Sequence, residues 1–463
     1  MKLSNLKIYE KDDIGNIECS IDNKIAWLKF NKNYLNYVQD TYDGFLVLIL
    51  LIAMKKNKNI EIEGILSYKL YHNITFYLMP LIKVIHPSFH IIKIICKEFS
   101  YGIGYNNSGV GCGLSCGVDS LACLEDYYFN DCKTFNLTHV TNFNAGSCRQ
   151  KLIYENRLMN INNYVNETNL NLLYVDTNFI EINNLDHQYF HMFRNLSVPL
   201  FFQKLFRKYY YGSCFSYFHS KIYKGSESLT SAETTVIPLL STENLEYILH
   251  GAQYTRIEKT LKISENKLSF KYLDVCISSF DYIDSDTVIN CSKCYKCLRT
   301  LVTLDFYNII DKYNKVFDLD LYYEYKDEYL NNLSIHNPYD REIKEIYKDI
   351  LKNNNIKQNE QQEQQEQQEQ QEQQEQQEQQ EQNEQNEQNE QNEQNENIWY
   401  AYKDDWSKIN NNQIISNKNV FIKKNKDIHS DKLDNNSKKM VENKTIFNLI
   451  TNQNDNKYYI IKL

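Results

Sequence analysis

Long apolar runs are missing from this chain. The most apolar segment, "GFLVLILLIAM" from Gly44 to Met54, is about half as long as a membrane-spanning helix requires. It predicts a buried helix and gives no reason to expect a membrane. The start, "MKLSNLKIYEKDDIGN", lacks the continuous apolar stretch of a secretory signal. The expectation is a cytoplasmic chain in a reducing environment. Its 12 cysteines are then thiols or metal ligands rather than disulfides. No GxxxxGK[ST] occurs, which excludes a Walker-type phosphate loop. The dinucleotide pattern GxGxxG fails too: after Gly111 and Gly113 the next glycine is one residue out of register.

A concentrated basic stripe is also absent. The formal charge is −9, but a glutamate recurs at every third position from Glu360 to Glu396, 13 in all. Without them 47 acidic residues face 51 basic ones, a net of +4. The acidity therefore belongs to one tract, and the rest is near neutral to mildly basic. A nucleic-acid partner is not expected on that balance, whereas a small anionic substrate is compatible with it.

Five stretches follow from pattern and composition. Residues 1–106 read as an N-terminal α+β unit: "KIAWLKF" alternates like a strand, "YDGFLVLILLIAMKKN" reads as a helix, and "IEIEGILSYKLYHNI" as a strand entering a helix. Residues 107–307 alternate strand and helix signals. Short β-branched runs such as "GVGCGL", "FNLTHVTNF", "NLLYVDTNF" and "CFSYFHSKIYKG" are interleaved with helical patterns such as "SLACLEDYYFN". That alternation predicts an α/β domain with a parallel sheet flanked by helices. Residues 308–355 read as a helical C-terminal cap. Residues 356–397 are a Gln/Glu/Asn low-complexity linker, too polar to offset its ordering entropy. Residues 398–463 are Asn- and Lys-rich with two apolar islands, "NIWYAY" and "YYIIKL", and read as an unfolded tail.

"GLSCGVDS", Gly113 to Ser120, is unusually small and flexible for a chain with 13 glycines among 463 residues. One reading is an ordinary strand-to-helix turn. The other is a phosphate cradle, because a helix start presents free N–H groups and partial positive charge. In that reading Gly117 lets the backbone approach the anion, and Ser115 and Ser120 offer hydroxyls. Asp119 either caps the helix or helps to hold Mg²⁺.

The hexapeptide Ser115-Cys116-Gly117-Val118-Asp119-Ser120 resembles the SGGxDS loop of the PP-loop ATP pyrophosphatases. The resemblance implies an adenine nucleotide alpha-hydrolase-like (HUP) α/β fold. It also implies that the loop grips the β,γ-pyrophosphate of ATP while a substrate oxygen attacks the α-phosphorus. Cys116 stands where the family has its second glycine.

"VINCSKCYKCLRT" brings Cys291, Cys294 and Cys297 as CxxCxxC, with Cys276 upstream and fourteen residues between it and Cys291. Four thiolates so spaced suit a closed, structural Zn²⁺ site, worth on the order of 10 kcal/mol to local folding. An iron–sulfur cluster is the rival reading. A distant cysteine, then CxxCxxC and an arginine (here Arg299), is similar to 7-cyano-7-deazaguanine synthase. "PLLSTENLEYILHGAQYTRIEK", "LDVC" and "NCSKCYKCLRTLVTLDF" resemble more closely an uncharacterised bacterial PP-loop family with the patterns PLxST, HDGxxxxRxEK, LRVC and NCGxCxKCLRTM. This chain departs from it by joining His250 directly to Gly251 and by carrying Ser292 for glycine.

Arg256 and Lys259 in "RIEK" lie three apart and share a helix face. They are either a solvated charged turn or the cations that stabilise charge developing on phosphorus. With Asp119 they are the candidate catalytic groups. Asp176, at a strand end, is a candidate nucleotide contact. His250 is a general base or a structural histidine. His187 and His191, near Asp186, are a metal pair or a packed helix face, the latter preferred. The implied activity is ATP-dependent adenylation of a carboxylate or carbonyl, forming AMP and pyrophosphate, with ATP, Mg²⁺ and Zn²⁺ as cofactors and a small molecule as acceptor. A tRNA- or sulfur-transfer enzyme and a silent nucleotide-binding scaffold are the alternatives.

Overall fold

A computed structural model describes residues 1–350 except 103, 131–134, 147–149, 183, 184, 186, 227 and 278–288. It further describes 352, 364, 365, 368 and 371, and four strands beyond residue 397, but not the side chains of 187–190 or of those strands. The chain divides into two compact units, Met1–Lys352 and Asn353–Leu463.

The first unit is built on one ten-stranded sheet. Its strands are β1 (Lys2–Lys11), β2 (Ile14–Ile21), β3 (Lys24–Asn31), β4 (Ile60–Ser67), β5 (Ile94–Ser100), β6 (Gly109–Gly113), β7 (His139–Asn144), β8 (Asn171–Thr177), β9 (Phe206–Gly212) and β10 (Glu246–His250). They lie in the order β10-β9-β6-β7-β8-β3-β2-β1-β4-β5. The five strands from β10 to β8 are mutually parallel. β3, β2 and β1 form an antiparallel meander that joins β8 antiparallel, and β4 and β5 extend it in parallel. Asp12 and Asp13 turn β1 into β2 with both φ positive, 52° and 62°, the two-residue hairpin geometry that matches strand twist. The α/β class expected from alternation is what forms. Residues 1–106 contribute β1–β5 to the same sheet as the later segments.

The run from Asp43 to Lys56 is a helix, and everything from Asp43 to Met54 is buried. It closes on Asn57 in a left-handed conformation. Asp43 at its start is fully buried, yet satisfied. It accepts from the Ser67 N–H (2.8 Å), Ser67 Oγ (2.6 Å), Thr41 Oγ1 (2.9 Å) and Gln203 Nε2 (2.7 Å). Gln203 Oε1 in turn accepts from Thr242 Oγ1 at 2.5 Å, which ties "PLLST" to this knot. No helix among the described residues is long and apolar enough to cross a membrane.

Two apolar clusters fill the unit. One runs from Leu3 through the buried helix to Tyr247. The other gathers Val110, Leu121, Ile257, Cys297, Leu301, Tyr313, Tyr322 and Ile343 around the glycine-rich turn and the C-terminal helices. The cap includes the helix Leu319–Asn331, whose first turn is capped by Asp318. One strand expectation fails. "CFSYFHSKIYKG" is a loop, and the strand is "FRKYYYG" just before it. The N–H groups of Cys214 and Phe215 donate to the Glu233 carboxylate instead of to a neighbouring strand.

Most of the Gln/Glu/Asn tract lies outside the described residues. The stretch from 398 onward, read as an unfolded tail, contains four antiparallel strands: β11 (Ile398–Tyr402), β12 (Lys423–Lys424), β13 (Phe447–Asn452) and β14 (Lys457–Lys462). The two apolar islands pair with each other, Ile398 opposite Ile461. Each island is too short to bury itself alone, and pairing satisfies both backbones.

Candidate functional site

The glycine-rich segment leaves the carboxyl end of β6. From β6 the sheet runs through β7 to β8 on one side and through β9 to β10 on the other. Such a reversal of strand order opens the crevice in which α/β sheets bind ligands. Leu114 to Gly117 make the turn, and a helix follows over Val118–Leu124, extended by a wider turn over Glu125–Phe129. Ser115 is exposed, whereas Val118 is packed in the core, so Val118 offers the site only its main chain. Ser120 Oγ donates to the Gly117 carbonyl at 2.9 Å, and no side chain caps the helix start. Asp119 is therefore not the cap. The C-terminal glycine of β9 allows the close approach: a Cβ on Gly212 would lie 3.0 Å from that of Asp119.

Cys116 has φ +56°, in the region that favours glycine, and its side chain is fully buried. Left-handed backbone costs an L-residue about 1–2 kcal/mol. Cys116→Gly should relieve that strain while losing a small buried side chain. Its stability is expected within about 1 kcal/mol of the parent. Cys116→Val adds a β-branch at the same φ and is expected to cost about 2–4 kcal/mol in chemical denaturation. Equal losses for the two variants would contradict the strain.

Asp119 is held from two sides. Its Oδ2 accepts from Arg256 Nη2 at 3.0 Å and its Oδ1 from Lys259 Nζ at 2.9 Å. Both cations come from the helix Arg256–Ile263, whose start carries a capping box. Thr255 Oγ1 accepts from the Glu258 N–H, and the Glu258 carboxylate accepts from the Thr255 N–H. In "RIEK" the glutamate therefore fixes the helix, and Arg256 and Lys259, one turn apart, point together to the loop. They are not a solvated charged turn: their side chains are 7% and 2% exposed, against 30% for Asp119. Lys259 Nζ also donates to the Ser213 carbonyl (2.6 Å) and Oγ (2.9 Å), and Arg256 to the Cys214 carbonyl (3.3 Å). Burial raises the Asp119 pKa, but the charges of Arg256 and Lys259 outweigh it and hold the carboxyl well below its usual range.

Sequence reasoning missed three neighbours. Glu233 is fully buried, and its Oε1 accepts from the N–H groups of Cys214 (2.8 Å) and Phe215 (3.2 Å), fixing the loop that holds both cations. Tyr339 lies against Arg299 and Arg256, with guanidinium carbons 4.0 and 5.2 Å from its ring centre. Lys296 sits one turn before Arg299. Glu233 and Tyr339 belong to no motif, and Lys296 lies inside the cysteine motif without a role of its own there, so only chain contacts reveal them. Burial pushes the Glu233 carboxyl from 4.5 up to about 8, against the pull of the Phe215 N–H and Lys259. Unfolded, it ionises near 4.5, so between these values folding takes up a proton and stability falls as pH rises. Across that window the wild type should lose melting temperature relative to Glu233→Gln. Parallel curves for the two proteins would refute the raised value.

Other candidates fall elsewhere. Asp176 ends β8, two strands from β6, and its Oδ1 accepts from Asn144 Nδ2 at 2.7 Å. It shares the carboxyl edge of the sheet with the loop. His250 is 2% exposed, with its Nε2 2.7 Å from Asp126 Oδ2, so it has a charged structural partner and no open face. Asp186 and the His187 side chain lie outside the described residues.

The four cysteines do converge. The Sγ atoms of Cys276, Cys291, Cys294 and Cys297 all lie within 4.8 Å of one another, and three of these residues are buried. Cys291 and Cys297 are 3.9 Å apart, and Cys294 and Cys297 are 3.4 Å apart. Tetrahedral bonds of about 2.3 Å put sulfurs roughly 3.8 Å apart, so the donor set can hold one ion such as zinc. A multi-iron cluster would need wider spacing, because the four sulfurs are then divided among two or four irons instead of meeting at one ion. Asn290 locks the two arms together. It accepts from the N–H groups of Val275 (2.8 Å) and Cys276 (3.1 Å), and donates to the carbonyls of Leu273 (2.7 Å) and Val316 (3.0 Å). Ser292, where the similar family has glycine, has φ +56°. The neighbouring Asp274 N–H donates to the Cys116 carbonyl at 2.9 Å, so the cysteine arm braces the glycine-rich turn. None of the described cysteines is in a disulfide.

No protein-family model, curated protein or solved structure matches this chain.

Proposed function

We propose that this chain is a PP-loop ATP pyrophosphatase with a structural zinc ion. It adenylates a carboxylate or carbonyl oxygen and releases pyrophosphate, in preparation for nitrogen transfer as in the 7-cyano-7-deazaguanine synthase it resembles. The observation that carries this reading is the buried Arg256–Lys259 pair, brought onto Asp119 of the loop from 137 and 140 residues away. Three further features support it. The parallel strands run β8-β7-β6-β9-β10, with the loop at the reversal. The helix start has no side-chain cap and borders an exposed Ser115. Cys116 and Ser292, which replace family glycines, both keep a glycine-like φ.

In this reading the loop holds the β- and γ-phosphates. The acceptor oxygen forms a bond to the α-phosphorus, and the bond from that phosphorus to the bridging oxygen breaks. Charge builds on the departing pyrophosphate, where Arg256 and Lys259 are already fixed and desolvated. Asp119 keeps them in place. It does not suit a Mg²⁺ ligand in this arrangement, since both its oxygens are taken by cations. Sulfur transfer is disfavoured: Cys116 and Cys123 are buried, and burial raises their thiol pKa values well above normal. The test is calorimetry with ATP, followed by assays for AMP and pyrophosphate with ATP alone and with cell extract. AMP and pyrophosphate in equal amounts support the enzyme. Binding without turnover under every condition favours a scaffold, and no binding removes the reading.

A further inference from the structure

Two cations beside the loop are left over once the carboxylates have been shared out. Asp119 is taken by Arg256 and Lys259. Glu342 accepts the Arg256 N–H and faces His219. Glu233 serves two backbone N–H groups, and Asp274 pairs with Arg157. Arg299 is 7% exposed and makes no hydrogen bond or ion pair with any described residue. Its Nε is buried without an acceptor. Lys296 is partly exposed and makes no ion pair with a described carboxylate, although Asp274 and Asp119 act on it from longer range.

An unpaired buried guanidinium is costly, and a protein retains one at low cost only where an anion comes to meet it. The metal site does not supply that anion. On their helix Lys296 and Arg299 are three apart and share a face, whereas Cys297 is two from Arg299 and points nearly opposite. The charged and phenolic groups near Arg299 include Arg256, Tyr339, Tyr329, Asp119 and Glu342, and neither carboxylate is within ion-pair distance of it. The Tyr339 ring, 4.0 Å from the guanidinium carbon, gives a flat wall that fixes its orientation. A guanidinium so held presents paired donors to a carboxylate or phosphate, and Lys296 adds a point charge at the solvent side.

We propose that Arg299 and Lys296, against Tyr339, form an oxyanion subsite for the acceptor substrate, separate from the loop that holds the nucleotide phosphates. The naming of the acceptor rests on the adenylation reading; the anion subsite does not. The probe is selenate, a tetrahedral oxyanion visible by anomalous scattering, used on the full chain. Selenate should raise the melting temperature of the wild type, with affinity at least tenfold weaker in Arg299→Met and weakened in Lys296→Met. Without anion, Arg299→Met should melt no lower than wild type, because it removes an unpaired charge and keeps an apolar stem. Soaked crystals should show selenium within hydrogen-bond distance of Arg299, retained when a non-hydrolysable ATP analogue occupies the loop. If the analogue displaces it, Arg299 serves the triphosphate and the acceptor assignment is overturned. Equal selenate affinity in all three proteins, or selenium only at the loop, overturns the subsite. Selenate at Arg299 with no analogue binding anywhere leaves the subsite standing and removes the adenylation reading.

Discussion

Cys294→Ser is expected to lose the bound metal ion, to lower the melting temperature by about 10 °C, and to abolish ATP binding. A structural zinc ion contributes several kcal/mol or more to folding, and each kcal/mol is worth roughly 2–4 °C in a mid-sized domain. The reach to the glycine-rich loop follows from connectivity. Cys294 and Cys297 start the helix that carries Lys296 and Arg299. Cys276 lies two residues after Asp274, whose N–H braces the Cys116 carbonyl and whose carboxylate meets Arg157 Nε at 3.2 Å. Freed from the metal, both segments can drift, and four sulfurs within 4.8 Å repel as they ionise. Metal analysis, scanning fluorimetry and calorimetry read the three effects. Wild-type protein purified without chelator and found free of metal would sink the metal assignment. A metal-free variant that still binds ATP would break the proposed link to the loop.

Asp119→Ala should have the second largest effect. It strands Arg256 and Lys259, whose side chains are 7% and 2% exposed, with no carboxylate between them. Breaking a fully buried pair costs about 3–5 kcal/mol, and the partial exposure of Asp119 brings the expectation nearer 2–3. AMP formation should fall by at least about a hundredfold, since the cations lose their fixed position. Sulfate should restore part of the lost stability by taking the place of the carboxylate. The pH dependence has a definite sign. The folded Asp119 carboxyl is held below its ordinary 3.8, so its stabilisation is complete above that value and is lost as pH falls towards the depressed one. The stability gap between wild type and variant should therefore close below about pH 4. A gap that persists unchanged into strong acid would show that Asp119 acts through packing rather than charge.

Much of this could be read without coordinates, and the reason differs from feature to feature. The Gly44–Met54 helix was legible because an unbroken apolar run has no solvent face to offer. The turn at Ser115–Ser120 and the cysteine quartet were legible because their chemistry depends on spacing within a few residues. Two errors share a cause. "CFSYFHSKIYKG" has strand composition, but its N–H groups are claimed by Glu233, which no local pattern announces. The apolar islands after residue 397 are too short to be judged singly, and they gain strand structure only as partners.

By itself the sequence determined which segments are buried, where a strand passes into a helix on glycine, and which four thiols can share an ion. Those are properties of neighbours along the chain. Tertiary structure alone decided that Asp119 meets Arg256 and Lys259, that Glu233 steadies the loop holding them, and that Tyr339 lies against Arg299. These meetings join residues far apart in the chain. Their distances depend on strand order and helix packing, and no local periodicity encodes either.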